Sequence, residues 1–254
     1  MAELTPWIEA GSPQAAVVAE RMGPEGRAPA RAALGSPRAE VRRVAIHCLA
    51  AIGEGQDLPA VAALVADGDR AVAVAATAAV RELHRGSLGQ GRAVLATFDA
   101  TADPELRAEL ALALGEGVDV PVDVLRARHA AEKSPLVKGA LSAACAKRGA
   151  APHLRALSVE IGRAKAAAKV EVIERAVYVR RSELLPALLA LFGDATHLMP
   201  GWPEGRSVRV CDQAAWAVAE IVGGHFAAED RAFAGLTAGE LDEVRARAEE
   251  ALKA

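Results

Sequence analysis

Six histidines, three cysteines and 33 acidic side chains are the groups in this 254-residue chain that could ligate a metal, activate a nucleophile or move a proton. Their spacing supports none of these roles. His47, His84, His129, His153, His197 and His225 are dispersed, and the chain has no HExxH or CxxC motif and no carboxylate cluster at ligand spacing. The expectation is a protein with no metal, no cofactor and no catalytic residue. Cys48, Cys145 and Cys211 are far apart in apolar stretches, where a thiol behaves as a small hydrophobe, so they are expected to be reduced and buried. The glycines fall singly at the ends of apolar segments rather than in a phosphate-cradling loop, no nucleophile elbow is present, and the serines stand where helices would begin. The remaining chemistry is electrostatic. The groups Arg42/Arg43, Lys147/Arg148, Arg163/Lys165/Lys169 and Arg180/Arg181 could line a phosphate-binding surface, although charges at helix ends also complement the helix dipole.

Helices must position these groups. Hydrophobic residues make up 52% of the chain, 61 of its residues are alanine and aromatics are only 3%, a bias toward helix formers and away from strand formers. The clearest unit is Gly35-Ser-Pro-Arg-Ala-Glu-Val-Arg-Arg-Val-Ala-Ile-His-Cys-Leu-Ala-Ala-Ile-Gly53. In it Ser36 can cap, Pro37 suits the first turn, Val41, Val44, Ala45, Cys48, Leu49 and Ile52 share one face, and Gly53 can close the helix in a left-handed conformation. Related units start at Ser12, Asp69, Asp103, Ser134 and Ser207, with a degenerate one over 151–181. Shorter amphipathic segments lie between them: DLPAVAALVAD, GRAVLATFDA, VPVDVLRARHA and ELLPALLALFG. One such hairpin cannot bury both of its apolar faces, so consecutive pairs must stack on a shared core.

This alternation of shorter and longer helices, with a Val-Arg or Leu-Arg pair opening the longer one, resembles the HEAT-repeat family in its short bacterial form over roughly residues 12–223. SPRAEVRRVAIHCLAAIG and ADPELRAELALALG carry the resemblance. The ankyrin and tetratricopeptide signatures are absent. The resemblance implies an all-α superhelix, a right-handed solenoid of about six to seven helical hairpins. It would form a single domain over 1–254: a cap and first hairpin at 1–34, repeats over 35–223 with a loop insertion at 193–206, and a capping helix within 224–254. Leu236, Leu241, Val244 and Ala248 form the expected inner face of that last helix. Ala73 and Lys138 stand where Arg42 and Arg107 stand in their repeats, so a ladder of arginine-to-acid pairs is expected to be interrupted there.

The formal net charge is -3, and arginine outnumbers lysine 24 to 6 with no asparagine at all, the usage of a GC-rich bacterial genome. The most apolar run, Ala71 to Val80, is about half of the ~20 residues that cross a bilayer, and no basic n-region opens the chain. No membrane association and a cytoplasmic location are therefore expected.

No histidine is followed by glutamate, which removes the iron-dependent deoxyhypusine hydroxylases that share the HEAT scaffold, and nothing marks the chromophore pocket of the phycobilin lyases. The resemblance then implies a non-enzymatic scaffold whose concave face, built from the second helix of each hairpin, binds a protein partner. Arg43, Glu109, Lys138, Arg175 and Asp212 are the expected polar contacts, with Trp202 as a hot spot. Trp202 lies between Gly201 and Pro203 in the one long irregular connection, where it fits either an exposed anchor or a cover for the end of the solenoid. Asp212 also suits a structural role beside an arginine, Trp216 suits the core, and Trp7 suits a cover for the N-terminal end. The alternative is a nucleic-acid-binding or DNA-glycosylase-like protein, which needs a contiguous basic groove with an aromatic on its floor.

Overall fold

The computed structural model describes residues 3–85, 87–198, 208–223 and 235–253. Among these the protein is all α. Its helices are α1 (Thr5–Glu9), α2 (Ala15–Met22), α3 (Arg27–Ala33), α4 (Ala39–Ile52), α5 (Leu58–Ala63), α6 (Arg70–Arg85), α7 (Gly91–Ala100), α8 (Pro104–Glu116), α9 (Val122–Ala131), α10 (Pro135–Lys147), α11 (Ala151–Arg163), α12 (Ala166–Val179), α13 (Leu185–Leu189), α14 (Val210–Val222) and α15 (Ala238–Ala251). The sole extended pairing among the described residues is an isolated bridge between His197 and Arg209. The chain divides into two compact units, residues 1–144 and 145–254, with the division near the end of α10.

In the first unit the longer helices stack in chain order, α2 on α4, α4 on α6 and α6 on α8, while α3, α5 and α7 each pack on the longer helix that follows. The second unit repeats the scheme, with α12 against α14, α14 against α15, and α11 and α13 covering their partners. Alanine sets the spacing. Ala45, Ala76, Ala79, Ala111, Ala113, Ala214, Ala215 and Ala217 are all buried on these helices, where a methyl group lets two backbones approach closely.

The amphipathic faces match the sequence, and some helix ends do not. In α4 the expected face of Val41, Val44, Ala45, Cys48 and Leu49 is buried, Ile46 joins it, and Ile52 is half-buried. The helix begins only at Ala39, with Ser36 accepting the Arg38 N–H at 3.3 Å and Pro37 left outside. Gly53 is extended (φ -71°, ψ 169°) rather than left-handed. Its absent side chain makes room instead, since a Cβ there would strike the Leu49 carbonyl and sit 2.8 Å from the Leu83 side chain. Asp103 caps α8 as its position suggests, accepting the Glu105 and Leu106 N–H groups. At the C-terminal end Thr237 and Glu240 form a capping box for α15; Leu236, Val244 and Ala248 are buried as expected, whereas Leu241 is only half-buried.

Arg42 and Lys169 each reach an acid 25 residues further along the chain, Asp67 and Asp194, and Arg107 reaches Glu132 in the same way at 2.8 Å. These rungs occur in alternate hairpins, because Ala73 and Lys138 stand at the equivalent positions between them. Asp194 is held down at about 2, chiefly by the hydrogen bond from Lys169. Arg107 also stacks over the Phe98 ring, 4.8 Å from its centroid. Arg107→Met should therefore lower stability by about 1–2 kcal/mol, from one half-buried ion pair and the ring contact. Arg126→Met, which removes the exposed Arg126–Asp123 pair within α9, should produce no measurable change in urea unfolding. Equal effects of the two variants would contradict this ranking.

Candidate interaction surface

The solvent-facing sides of α4, α6 and α8 carry one residue per turn. On α4 these are Glu40, Arg43, His47 and Ala51; on α6 they are Ala71, Val74, Ala78, Glu82 and Arg85; on α8, Glu105 and Glu109 are exposed and Leu112 and Glu116 are half-buried. The three- and four-residue spacing confines each set to one stripe, and the stacking of α4, α6 and α8 places the stripes side by side. Val74, 47% exposed, stands in the middle stripe between two exposed alanines. Arg43 and His47 flank it on α4. Burial, and then the charge of Arg43, lower the His47 pKa and favour the neutral ring. On the α8 side Arg81 approaches Glu109 at 3.8 Å and Glu116 at 3.5 Å, and Arg85 approaches Glu116 at 3.5 Å. The surface thus has a small apolar centre, a cation on one flank and interleaved charges on the other.

The expected contact residues divide into those on this surface and those used by the fold. Arg43 and Glu109 belong to it. Lys138 is exposed, but it lies close enough to His129 and Glu132 to lower the pKa of both after their larger local causes, which places it toward the α9 side of its hairpin. Arg175 corrects the expectation of a free contact: it binds Glu160 of α11 through two nitrogens, at 2.5 and 3.1 Å, and ties its own hairpin together. Asp212 is a second correction. It is fully buried, accepts the Arg209 N–H and guanidinium and the Leu236 N–H, and fulfils the structural role beside an arginine. Trp202 and His225 lie outside the described residues. Trp216 is half-buried, and Trp7 is 39% exposed.

Sequence reasoning missed Val74. It sits in the run AVAVAATAAV, where Val72 is buried and Val74 is exposed, and an all-apolar run does not reveal which valine turns outward.

Most of the candidate phosphate-binding cations are engaged. Arg42 binds Asp67, Lys169 binds Asp194, Arg180 binds Glu220 and Arg181 binds Glu183. Lys147 donates to the Tyr178 carbonyl at 2.6 Å and lies over the Tyr178 ring. Cations neutralised this way release few counterions from a nucleic acid. Among the described residues no three His, Cys, Asp or Glu side chains gather as a metal would need, and no helix is long and apolar enough to cross a membrane. All three cysteines are buried, and burial raises the Cys48 thiol to about 11, which keeps it from acting as a nucleophile. A groove of about 430 Å³ opens between α5 and α7, walled by alanines. Its one charged group, Asp103, is already occupied by the α8 cap and Arg70.

No protein-family model matches the chain, and no curated protein matches it. Among solved structures, a crystal structure of an engineered protein is similar at 17% identity, over 95% of this chain and 74% of that one, with a TM-score of 0.39. A likeness that distant carries no functional argument.

Proposed function

We propose that the chain is a HEAT-like repeat scaffold without catalytic activity, which binds a protein partner through the second-helix surface of α4, α6 and α8. The observation that carries this reading is Val74, an apolar side chain exposed at the centre of a stripe whose flanks are charged. A small apolar centre inside a polar rim is how protein interfaces are built. Arg43 favours a partner that brings an acidic group to the α4 flank.

The test has two stages. Partners retained by the immobilised wild-type protein are identified, and the affinity of the purified partner is then measured for Val74→Glu and Arg43→Glu, both surface changes that should leave the melting temperature unaltered. Each variant should bind at least about tenfold more weakly, a loss of ~1.4 kcal/mol. Wild-type affinity in both variants would refute the surface. Titration with single- and double-stranded DNA at low and moderate salt tests the alternative class, and micromolar, salt-sensitive binding would replace the scaffold reading with a nucleic-acid one.

A further inference from the structure

His84 is fully buried at the end of α6, and the function proposed above does not use it. Its Nδ1 lies 2.9 Å from the Ala113 carbonyl oxygen of α8, and its Nε2 lies 3.3 Å from Oδ1 of Asp119 in the turn between α8 and α9. The other Asp119 oxygen accepts the Gly91 N–H, the first of α7, at 2.6 Å. One imidazole therefore joins the end of α6 to α8, to the following turn and, through Asp119, to the start of α7.

Both ring nitrogens face groups that can only accept. A carbonyl oxygen has no proton to give. Burial pushes the Asp119 carboxyl up, but the Gly91 N–H, then its own backbone N–H, and after them His84 outweigh it, so its pKa is lowered and the carboxylate is ionised. A neutral imidazole has one N–H, so either neutral tautomer points a lone pair at one of the two acceptors. The imidazolium satisfies both. The other charged groups on this side are Glu116, which Arg81 and Arg85 approach from α6, and the positive N-terminal end of α7, which Asp119 already engages. On the opposite side, toward α4, the neighbouring residue Leu83 meets Gly53.

We propose that His84 is a pH-sensitive clasp: as an imidazolium it donates one N–H to the Ala113 carbonyl and the other to Asp119, and loss of a proton releases the turn between α8 and α9 from α6. The stabilisation is present while both nitrogens carry protons and is lost with the second of them. The step is a single proton transfer to solvent, with no other bond made or broken.

The test is nitrogen NMR of the intact protein with labelled histidine, together with amide hydrogen exchange, from pH 5 to pH 9. The expected result is two protonated ring nitrogens on His84 at the acid end. Loss of the second proton should coincide with a several-fold drop in the protection factor of the Gly91 amide. Asp119→Asn keeps an acceptor oxygen and removes the charge, so in that variant the pH dependence of protection at Gly91 should vanish. If His84→Gln fails to fold, the asparagine variant and the wild-type spectra still decide the matter. A His84 ring with one N–H throughout the range, or Gly91 protection that ignores the titration, would overturn the clasp.

Discussion

Gly117→Ala should destabilise the protein by about 3 kcal/mol, the upper part of the range for overpacking a closed core. Gly117 ends α8 with φ -81° and ψ 150°, a conformation open to any residue, so the loss is steric. A Cβ at this position would collide with Cε1 and Nε2 of His84 and lie 2.9 Å from Nδ1. The ring has little room to retreat, because Ala113 and Asp119 hold its two nitrogens and the side chain is wholly buried. Displacing it would also break those hydrogen bonds. Urea unfolding measures the effect. Gly139→Ala in α10 is the control: nothing lies within 4 Å of the place its methyl group would take, and replacing a helical glycine should stabilise by about 0.5–1 kcal/mol. A loss below about 1 kcal/mol for Gly117→Ala would show that the ring moves aside freely.

Asp212→Ala should lose a similar amount, about 3 kcal/mol, for an electrostatic reason. The Asp212 carboxylate is fully buried and accepts the Arg209 backbone N–H at 2.8 Å, Arg209 Nε at 3.0 Å, Arg209 Nη2 at 2.8 Å and the Leu236 N–H at 2.9 Å. Arg209 in turn donates to the Leu236 carbonyl at 2.6 Å, so one ion pair fastens the start of α14 to the segment leading into α15. The alanine variant strands a guanidinium and two backbone N–H groups. Arg209 keeps a 28% exposed side chain and can recover some solvation, which places the loss at the lower end for a broken buried pair. Burial alone would raise the Asp212 pKa, but the hydrogen bonds from Arg209 and Leu236 outweigh it and the net direction is down. A carboxylate lowered in the folded state stabilises above its unfolded pKa of about 3.9, and that contribution fades as the pH falls below it. The acid limb of the wild-type stability curve should accordingly be steeper than that of Asp212→Ala. Parallel acid limbs would remove Asp212 from the groups that govern acid stability.

The parts of this fold that sequence discloses are those set by side-chain periodicity. The buried face of α4, the rung positions at Arg42 and Arg107 with the gaps at Ala73 and Lys138, and the inner face of α15 all follow from apolar spacing or from aligned repeats. Helix ends are less legible. Ser36 and Gly53 have the right chemistry for caps, yet the helix between them starts late and Gly53 is selected by the crowding of Leu49 and Leu83 rather than by its backbone angle. Long-range partners are the least legible. Glu160, which occupies Arg175, lies one helix earlier and carries no local mark of its role. The identity of the acceptor for His84 depends on how the turn after α8 is placed, and only the folded chain supplies that.

The burial of the three thiols has a practical consequence. Cys48 lies in α4, Cys145 in α10 and Cys211 in α14, and burial raises the pKa of both Cys48 and Cys211. A thiol-specific reagent can then react only after the helix around a given cysteine has opened. The chain carries three built-in clocks at different points along its length, so single-cysteine versions would time the opening of separate segments without any added label.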